Sequence, residues 1–431
     1  ASLGSSSPLS FYVGTLQSTE WVNSVDITHK WKVLGNLQTS LGFQHRLETY
    51  RVEAGDPWSY AAGTYLNNGA VVSPGANGAS GFTPDDAGFK QRNNMAGYAD
   101  LEWDPLKSLT IGLAGRYEHY DDSSGNSAIG KASLRYDVTK WLSIRGTLSN
   151  GFRAPSLAQM LYASTTGQFR LVNNDLTLLQ IKTLPVGSAA AKALGAKPLT
   201  PETSKNMSAG FVLKPFRRFA VTFDAYQIEV NNRIALTSTL TGAAVSNILA
   251  QNGLASDISA QYYTNAINTR TRGIDVVATY NHSVGPLGHM QWNLGWNYNQ
   301  TVITNIKSNP SQLASLGSNY VLFDRLSQGY MTKAIPRTKL SLMNIWTFGP
   351  LVLNTKVTRY GSYTILQNNA SNDRRYGPRA IVDMDLTWNI NRWVNVGFGG
   401  NNIFNNYPSA NGIYNYSLGQ GQYPGTSPFG F

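Results

Sequence analysis

Apolar and polar residues alternate with a period of two along most of this chain. In 37–49, Leu37, Leu41, Phe43 and Leu47 share one parity, and Gln38, Ser40, Gln44, Arg46 and Glu48 the other. The same alternation sets Leu109, Ile111, Leu113 and Tyr117 against Thr110, Arg116 and Glu118. It sets Leu142, Ile144 and Leu148 against Ser143, Arg145 and Thr147. In 290–298 it sets Met290, Trp292, Leu294, Trp296 and Tyr298 against Gln291, Asn293, Gly295 and Asn297. Alternate side chains of a strand point to opposite faces, so each run predicts a strand with one apolar and one polar face. About fifteen strands are predicted, near 18–32, 36–52, 90–104, 108–121, 128–139, 141–151, 203–214, 218–231, 268–282, 289–304, 335–348, 351–366, 379–391, 393–403 and 423–431.

The connectors divide into two sets. Short ones fall at 33–35, 105–107, 139–140, 215–217, 283–288, 349–350 and 391–392. Long ones fall at 53–89, 152–202, 232–267, 305–334, 367–378 and 404–422, and 122–127 belongs with them. In strictly antiparallel order, all short turns lie at one end and all long loops at the other. That is the outer-membrane β-barrel pattern of periplasmic turns and extracellular loops. Trp31, Trp103, Trp141 and Trp393 all sit beside short turns, where an aromatic girdle belongs. The Ala-, Leu- and Ser-rich loop 240–262 has the composition of a short helix.

Composition agrees with an all-β, transmembrane antiparallel barrel. Charged residues are only 14% of the 431, against roughly 25% in an ordinary globular chain. Aromatics reach 11%, with 23 Tyr and 10 Trp. No window of 18 apolar residues exists for a helical span. Cysteine is absent, which removes thiol catalysis, thiolate metal sites and disulfides. The first ten residues lack the basic start and apolar core of a signal peptide. Net charge is +11; it fits attraction to anionic lipid head groups, or an Arg-lined path for anionic ligands. No basic run or recognition motif points to nucleic acid. In the final segment, Tyr423, Phe429 and Phe431 share a face and Phe ends the chain. A terminal aromatic strand is the assembly signal that barrels present to the barrel-assembly machinery.

Six blocks, in order, carry a resemblance: GFQHRLETYRVEAGDPWSYAAG (42–63), GFRAPSLAQM (151–160), LTPETSKNMSAGF (199–211), RTRGIDVVATY (270–280), VTRYG (357–361) and GFGGNNIFNNYP (397–408). Together they resemble the barrel of TonB-dependent outer-membrane receptors, over nearly the whole chain. The resemblance implies a 22-stranded barrel around an N-terminal plug. Neither a plug sequence nor a TonB-box-like segment is visible, so residues 1–431 are expected to be one domain, the C-terminal part of such a barrel. The implied localisation is the outer membrane of a Gram-negative bacterium. The implied partners are outer-membrane lipid and lipopolysaccharide, the TonB energy-coupling protein through the plug region, and a small-molecule nutrient. The implied cargo is a ferric siderophore, an oligosaccharide or a cobalamin-like compound. A passive porin-like channel, or a transport-incompetent barrel fragment, are the competing readings; two unpaired strand edges in lipid would bar energised transport by this chain alone.

Candidate site residues follow from the parity. Arg46, Glu48, Asp100, Glu102, Arg116, Glu118, Arg135, Asp137 and Arg145 fall on polar, lumen-facing positions, as a mutually satisfied charge ladder or as steering groups for a ligand. A lipid-facing charge near the midplane would cost roughly 2–4 kcal/mol, which favours the inward placement. Phe152, Arg153 and Pro155 form a rim anchor: Pro155 ends strand pairing and Arg153 pairs with an acid of the lumen. Trp58, Tyr60, Tyr65, Phe169, Tyr262, Tyr263, Tyr320 and Tyr414 are loop aromatics that can serve as ligand platforms, and packing of the loops against each other explains most of them equally well. Asp85, Asp86, Asp121 and Asp122 read as solvated loop acids, with cation bridging to lipopolysaccharide as the alternative. His29, His45, His119, His282 and His289 show no metal spacing, and no nucleophile–base arrangement appears. The chain is therefore expected to be no enzyme and to need no cofactor or metal.

Overall fold

A computed structural model describes residues 3–61, 63–67, 70–71, 75, 80–172, 175–255, 258–314, 317 and 320–409, without the side chains at 66–67, 70–71 and 167–179. In chain order the strands are β1 (Thr15–Trp31), β2 (Asn36–Glu53), β3 (Leu66–Asn67), β4 (Ala70–Val71), β5 (Gly88–Leu106), β6 (Leu109–Tyr120) and β7 (Asn126–Asp137). They continue with β8 (Leu142–Arg153), β9 (Ser164–Val172), β10 (Asp175–Leu184), β11 (Glu202–Phe216), β12 (Phe219–Leu236), β13 (Ser259–Ser283) and β14 (His289–Ile306). The last are β15 (Thr338–Phe348), β16 (Leu351–Tyr360), β17 (Tyr363–Ile365), β18 (Arg374–Tyr376), β19 (Arg379–Asn389) and β20 (Asn395–Gly400). The helices are α1 (Pro57–Tyr60), α2 (Leu157–Leu161), α3 (Ala189–Ala193), α4 (Ala243–Gln251), α5 (Ser311–Ala314) and α6 (Arg325–Thr332).

One sheet forms the wall, in the order β1-β2-β5-β6-β7-β8-β11-β12-β13-β14-β15-β16-β19-β20, each strand antiparallel to the next in sequence. Among the described residues β1 pairs only with β2, and β20 only with β19. Fourteen of the fifteen expected strands are these wall strands; the one at 423–431, with Tyr423, Phe429 and Phe431, lies outside the described residues. Two expectations change. The connector 152–202 is not irregular: β9 pairs antiparallel with β10, and β10 adds in parallel to the upper end of β13. The connector 232–267 is shorter than expected, because β12 and β13 continue pairing up to Leu236 and Tyr263 through two register shifts. The expected helix in 240–262 is α4.

The registers divide the wall into two faces. Leu101, Leu113, Ala132, Leu148 and Met207 are successive cross-strand partners in one apolar row. On β14 the apolar face runs from Met290 to Tyr298 and gives way to Gln300. Eight steps of ~3.3 Å on a strand tilted ~40° rise about 20 Å, close to the ~25 Å apolar band of a membrane barrel. Aromatics gather at the short-turn end. Trp103 and Trp346 donate from their indole nitrogens to the turn carbonyls of Leu34 (3.2 Å) and Leu287 (2.7 Å). Phe216 stacks on Phe219, and Tyr280 on His282, with ring centroids 5.3 and 5.0 Å apart. Such rings place an apolar body in lipid and a polar edge at the interface.

On the polar face, glycines let long side chains lie flat across a strand. Gly42 sits between Asp26 and Tyr98 in register; the Tyr98 ring covers Gly42 and its hydroxyl donates to Asp26. Gly210 sits between Arg145 and Asp224; Arg145 Nε reaches across it to Asp224 Oδ1 at 2.8 Å. A Cβ at either glycine would overlap the bridging groups. The absent side chain therefore buys a bridge between strands that are not neighbours.

Gly42→Val should displace Tyr98 and cost roughly 1–3 kcal/mol, the usual penalty of overpacking. Gly115→Ala, whose Cβ meets nothing within 4 Å, should stay within about 0.5 kcal/mol of the parent. Urea unfolding in lipid or detergent measures both, and equal effects would contradict this account of the polar face.

Candidate functional site

Two assemblies meet at the long-loop end of the polar face: a charged network on the wall, and a folded cap of loops. The network begins where Glu20 on β1 pairs with Arg46 on β2 at 3.2 Å. Gln44 beside it accepts from Arg116 on β6 at 2.8 Å. Arg116 pairs with Glu118, and its guanidinium lies 5.3 Å from the Tyr98 ring centroid. Glu118 also accepts from the Tyr120 hydroxyl at 2.7 Å and from Asn94 at 3.2 Å.

The strongest tie is Arg92 on β5, which the sequence reading did not single out. Its side chain is only 4% exposed. The guanidinium donates to Glu48 at 2.6 Å, to Asp122 at 3.4 Å, to Ser124 at 3.3 Å and to the Pro155 carbonyl at 2.8 Å. It also stands 4.9 Å from the Tyr120 ring centroid. Arg92 thus joins two wall strands, the 121–125 turn and the segment after β8. Its partners lie 30 to 63 residues away in sequence, so nothing local marks it. The parity was available: Arg92 is even-numbered on β5, like Asp100 and Glu102.

The rim residues occupy the mouth of this network. β8 ends at Arg153. Arg153 Nε donates to Glu202 Oε2 at 3.0 Å, and Glu202 Oε1 accepts from the Ile234 amide at 2.8 Å. One carboxylate therefore ties β8, β11 and β12 together. The Phe152 ring lies 5.7 Å from Tyr120, and Pro155 is buried. Ser156 and Gln159 then form a reciprocal capping box that starts α2. Leu157 on α2 packs on Tyr50 and Val52, on the polar parity of β2.

The cap has its own apolar core, built from Leu184, Leu194, Leu249, Tyr262, Leu313 and Leu322. Lys182 on β10 is buried and pairs at 2.7 Å with Asp86, whose side chain is fully buried. A pair so removed from water persists only because each partner is satisfied; Asp86 also accepts from the Thr83 amide and hydroxyl, both at 2.9 Å. At the next loops Arg325 forks onto Asp373 at 2.6 Å through each nitrogen. That bond and the Gln367 amide hold the Asp373 carboxyl at about 2. Lys307 is lowered by burial and by Lys197 beside it.

Several sequence expectations need correction at the level of single residues. Asp86 is not a solvated acid, and Asp122 and Asp121 are tied to Arg92 and Asn93. The charge ladder is incomplete: among the described residues Asp100 and Glu102 are exposed and form no ion pair. Arg135 pairs along its own strand with Asp137 at 3.0 Å rather than across the wall. It stands opposite Arg145, which reaches Asp224 instead. Tyr262 is fully buried and donates to the Leu194 carbonyl at 2.9 Å, so its ring offers no platform. Tyr263 and Tyr320 pack partly against the same core. Trp58 and Tyr65 are exposed and Tyr60 is half-buried. Tyr414 and the Phe169 side chain lie outside what is described. Among the described residues no group of three metal-ligating side chains occurs.

Comparison with known proteins places this geometry. The profile of the family described as TonB dependent receptor-like, beta-barrel matches residues 2–403. No curated protein matches the chain. Among solved structures, the chain is similar to a mutant of the ferric enterobactin receptor PfeA from Pseudomonas aeruginosa, with 14% identity and a TM-score of 0.58, over 90% of this chain and 48% of that one. It is similar to the siderophore receptor PirA from Acinetobacter baumannii, with 13% identity, a TM-score of 0.57, and 90% and 50% of the two chains covered. It is also similar to the outer membrane transporter YddB from Escherichia coli, with 11% identity and a TM-score of 0.57, over 90% and 50%. The chain spans about half the length of these structures, and the likeness is one of fold.

Arg92→Ala leaves Glu48 and Asp122 facing each other without their cation. A loss of about 3 kcal/mol is expected, with faster amide exchange across 154–163; unchanged exchange there would contradict the tie. Asp373 is depressed from its ordinary 3.8 to about 2. Its contribution is therefore complete above about pH 4 and lost as the pH falls toward 2. Amide exchange in 363–376 should rise in that window, and Asp373→Asn should remove the dependence.

Proposed function

Because the chain belongs to the TonB-dependent receptor-like β-barrel family, we propose that it supplies wall and extracellular cap to an outer-membrane receptor of a Gram-negative bacterium. The receptor takes up a scarce nutrient by energised transport, and an anionic ferric siderophore fits best, ahead of an oligosaccharide or a cobalamin-like compound. One observation carries this reading. The cap is an ordered structure with its own apolar core, anchored on the charged polar face through Arg92 and Arg153 and braced by the Lys182–Asp86 pair. A passive porin needs a constriction, not a cap with its own core. Arg46 and Arg116 lie on the route below the cap, and Trp58 and Tyr65 are exposed above. Guanidinium groups suit carboxylate, phosphate or catecholate oxygens.

The remaining partners belong to the same proposal. Strands beyond β1 and β20 complete the ring, since an unpaired edge in hydrocarbon leaves a row of backbone groups without partners. A plug inside the ring contacts TonB, the barrel-assembly machinery inserts the wall, and lipopolysaccharide surrounds it. As a family of receptors, it implies transport without catalysis by this chain.

The test is equilibrium binding to the intact receptor of a ferric catecholate, a neutral oligosaccharide and cobalamin. The ferric catecholate should bind, and Arg46→Gln with Arg116→Gln should weaken it about tenfold, equal to ~1.4 kcal/mol. No binding by any of the three, together with free ion conduction through the reconstituted protein, would support a passive channel instead.

A further inference from the structure

The short-turn end of the polar face gathers cations that the cap and the route below it do not use. Lys107 lies in the turn between β5 and β6, Lys140 in the turn between β7 and β8, and Lys214 near the end of β11. Backbone hydrogen bonds pin these segments together. The Asp137 amide donates to the Ser108 carbonyl at 2.7 Å, which ties β7 to the first turn. The Lys214 amide donates to the Trp141 carbonyl at 2.7 Å, which ties β11 to the second. Thr139 tightens that second turn. Its hydroxyl oxygen accepts from the amides of Trp141 and Leu142 at 3.2 and 3.0 Å, which leaves Lys140 at the tip.

A concavity of about 450 Å³ lies among these segments, and Lys107, Arg135, Asp137, Lys140, Ser143 and Lys214 are in its lining. Asp137, Ser143 and Val212 are register partners on the polar parity, so it belongs to the interior side of the wall. Its charge is unbalanced. The carboxylate in the lining, Asp137, is already engaged: it accepts from Arg135 Nε at 3.1 Å and from the Ser143 hydroxyl at 2.6 Å. Arg145, which stands opposite Arg135, is turned to Asp224. Lys107, Lys140 and Lys214 are exposed, and among the described residues none of them is in an ion pair. Higher on the same face the arginines have acids: Arg46 has Glu20, Arg92 has Glu48 and Arg116 has Glu118. Like charges held together by their backbone repel, and a concave surface of one sign concentrates counter-ions.

We propose that this concavity binds a compact, multiply charged anion, a polyphosphate or a polycarboxylate, that enters from the short-turn side. Lys107, Lys140 and Lys214 supply ammonium donors, and Arg135 supplies the guanidinium hydrogens that Asp137 leaves free. Charge and size select this occupant. A monovalent anion, or the carboxylate of a single protein side chain, answers one cation and leaves most of the 450 Å³ unfilled. A lipid of the surrounding membrane meets the opposite face of the wall. Once bound, the anion joins the two turns and β11, and it gives the polar face a second anion-binding level, at the far end from the cap. The proposal rests on the polar parity facing the interior, and it is independent of the cargo.

The test is isothermal titration of the intact, membrane-inserted receptor with inorganic tripolyphosphate, citrate and acetate. Tripolyphosphate and citrate should bind at least about tenfold more tightly than acetate, and both should weaken as salt is added. The variant K107Q/K140Q/K214Q should lose that preference. Its urea midpoint should not fall, because the replaced lysines are exposed and repel one another. Asp137→Asn should tighten both polyanions by removing the carboxylate from the lining. Equal affinity for the three anions, or a triple variant that keeps the preference, overturns the site. An intact receptor that binds none of them overturns it too, and shows that another segment of the receptor covers the lysines. Each of these failures leaves the receptor reading intact, since that reading is tested with a ferric catecholate at the other end of the wall.

Discussion

A backbone that crosses hydrocarbon finds no water, so each strand must give its amide and carbonyl groups to its neighbours. The rest of this structure follows from that constraint. Antiparallel pairing in sequence order satisfies the ladder, and it forces all short turns to one end and all long loops to the other. It also leaves side chains to divide by parity, one face for lipid and one for the interior. The tryptophans of the short-turn end mark one level at which the apolar face stops.

The polar face had to be built differently. There, directly opposed residues include like charges, as at Arg135 and Arg145. The molecule resolves this by bridging over glycine: Arg145 passes Gly210 to reach Asp224, and Tyr98 passes Gly42 to reach Asp26. Higher up, the wall stops being a ladder and becomes a foundation. Arg92, Glu202 and Asp86 each satisfy several groups from distant segments, so the loops above them fold onto the wall with their own core. A cap held by buried ion pairs is tied at a few points rather than along its length.

The wall was legible in the sequence because its period is short and its alternation strong, as in Leu37–Leu47 and Met290–Tyr298: each of the fourteen wall strands overlaps an expected one, although β13 starts nine residues earlier, at Ser259, and β16 ends six earlier, at Tyr360. The cap was not. In β9 and β10, runs such as Leu176, Leu178, Leu179 and Ile181 break the alternation, and β10 pairs in parallel with a strand about eighty residues away. Polar identity also misled where burial decided the role. Asp86 read as a solvated loop acid, yet it is buried against Lys182, 96 residues along the chain; Tyr262 fits loop packing, not a ligand platform. Arg153 was legible because a Pro follows it closely and an acid opens the next wall strand. Arg92 sat between Gln91 and Asn93 with nothing nearby to pair with, and only its parity pointed inward.

The central claim is that this sheet stands in a membrane with its apolar parity toward lipid and its polar parity toward an aqueous interior. The chain has no cysteine, so single cysteines at successive positions 290–300 can each carry a spin label. Collisions with oxygen, which concentrates in lipid, and with a water-soluble nickel complex then report the two environments. The account predicts that both collision rates oscillate with a period of two and in opposite phase, oxygen peaking at 292, 294 and 296 and nickel at 293, 295 and 297. Rates that rise and fall together, or that show no alternation, would contradict it.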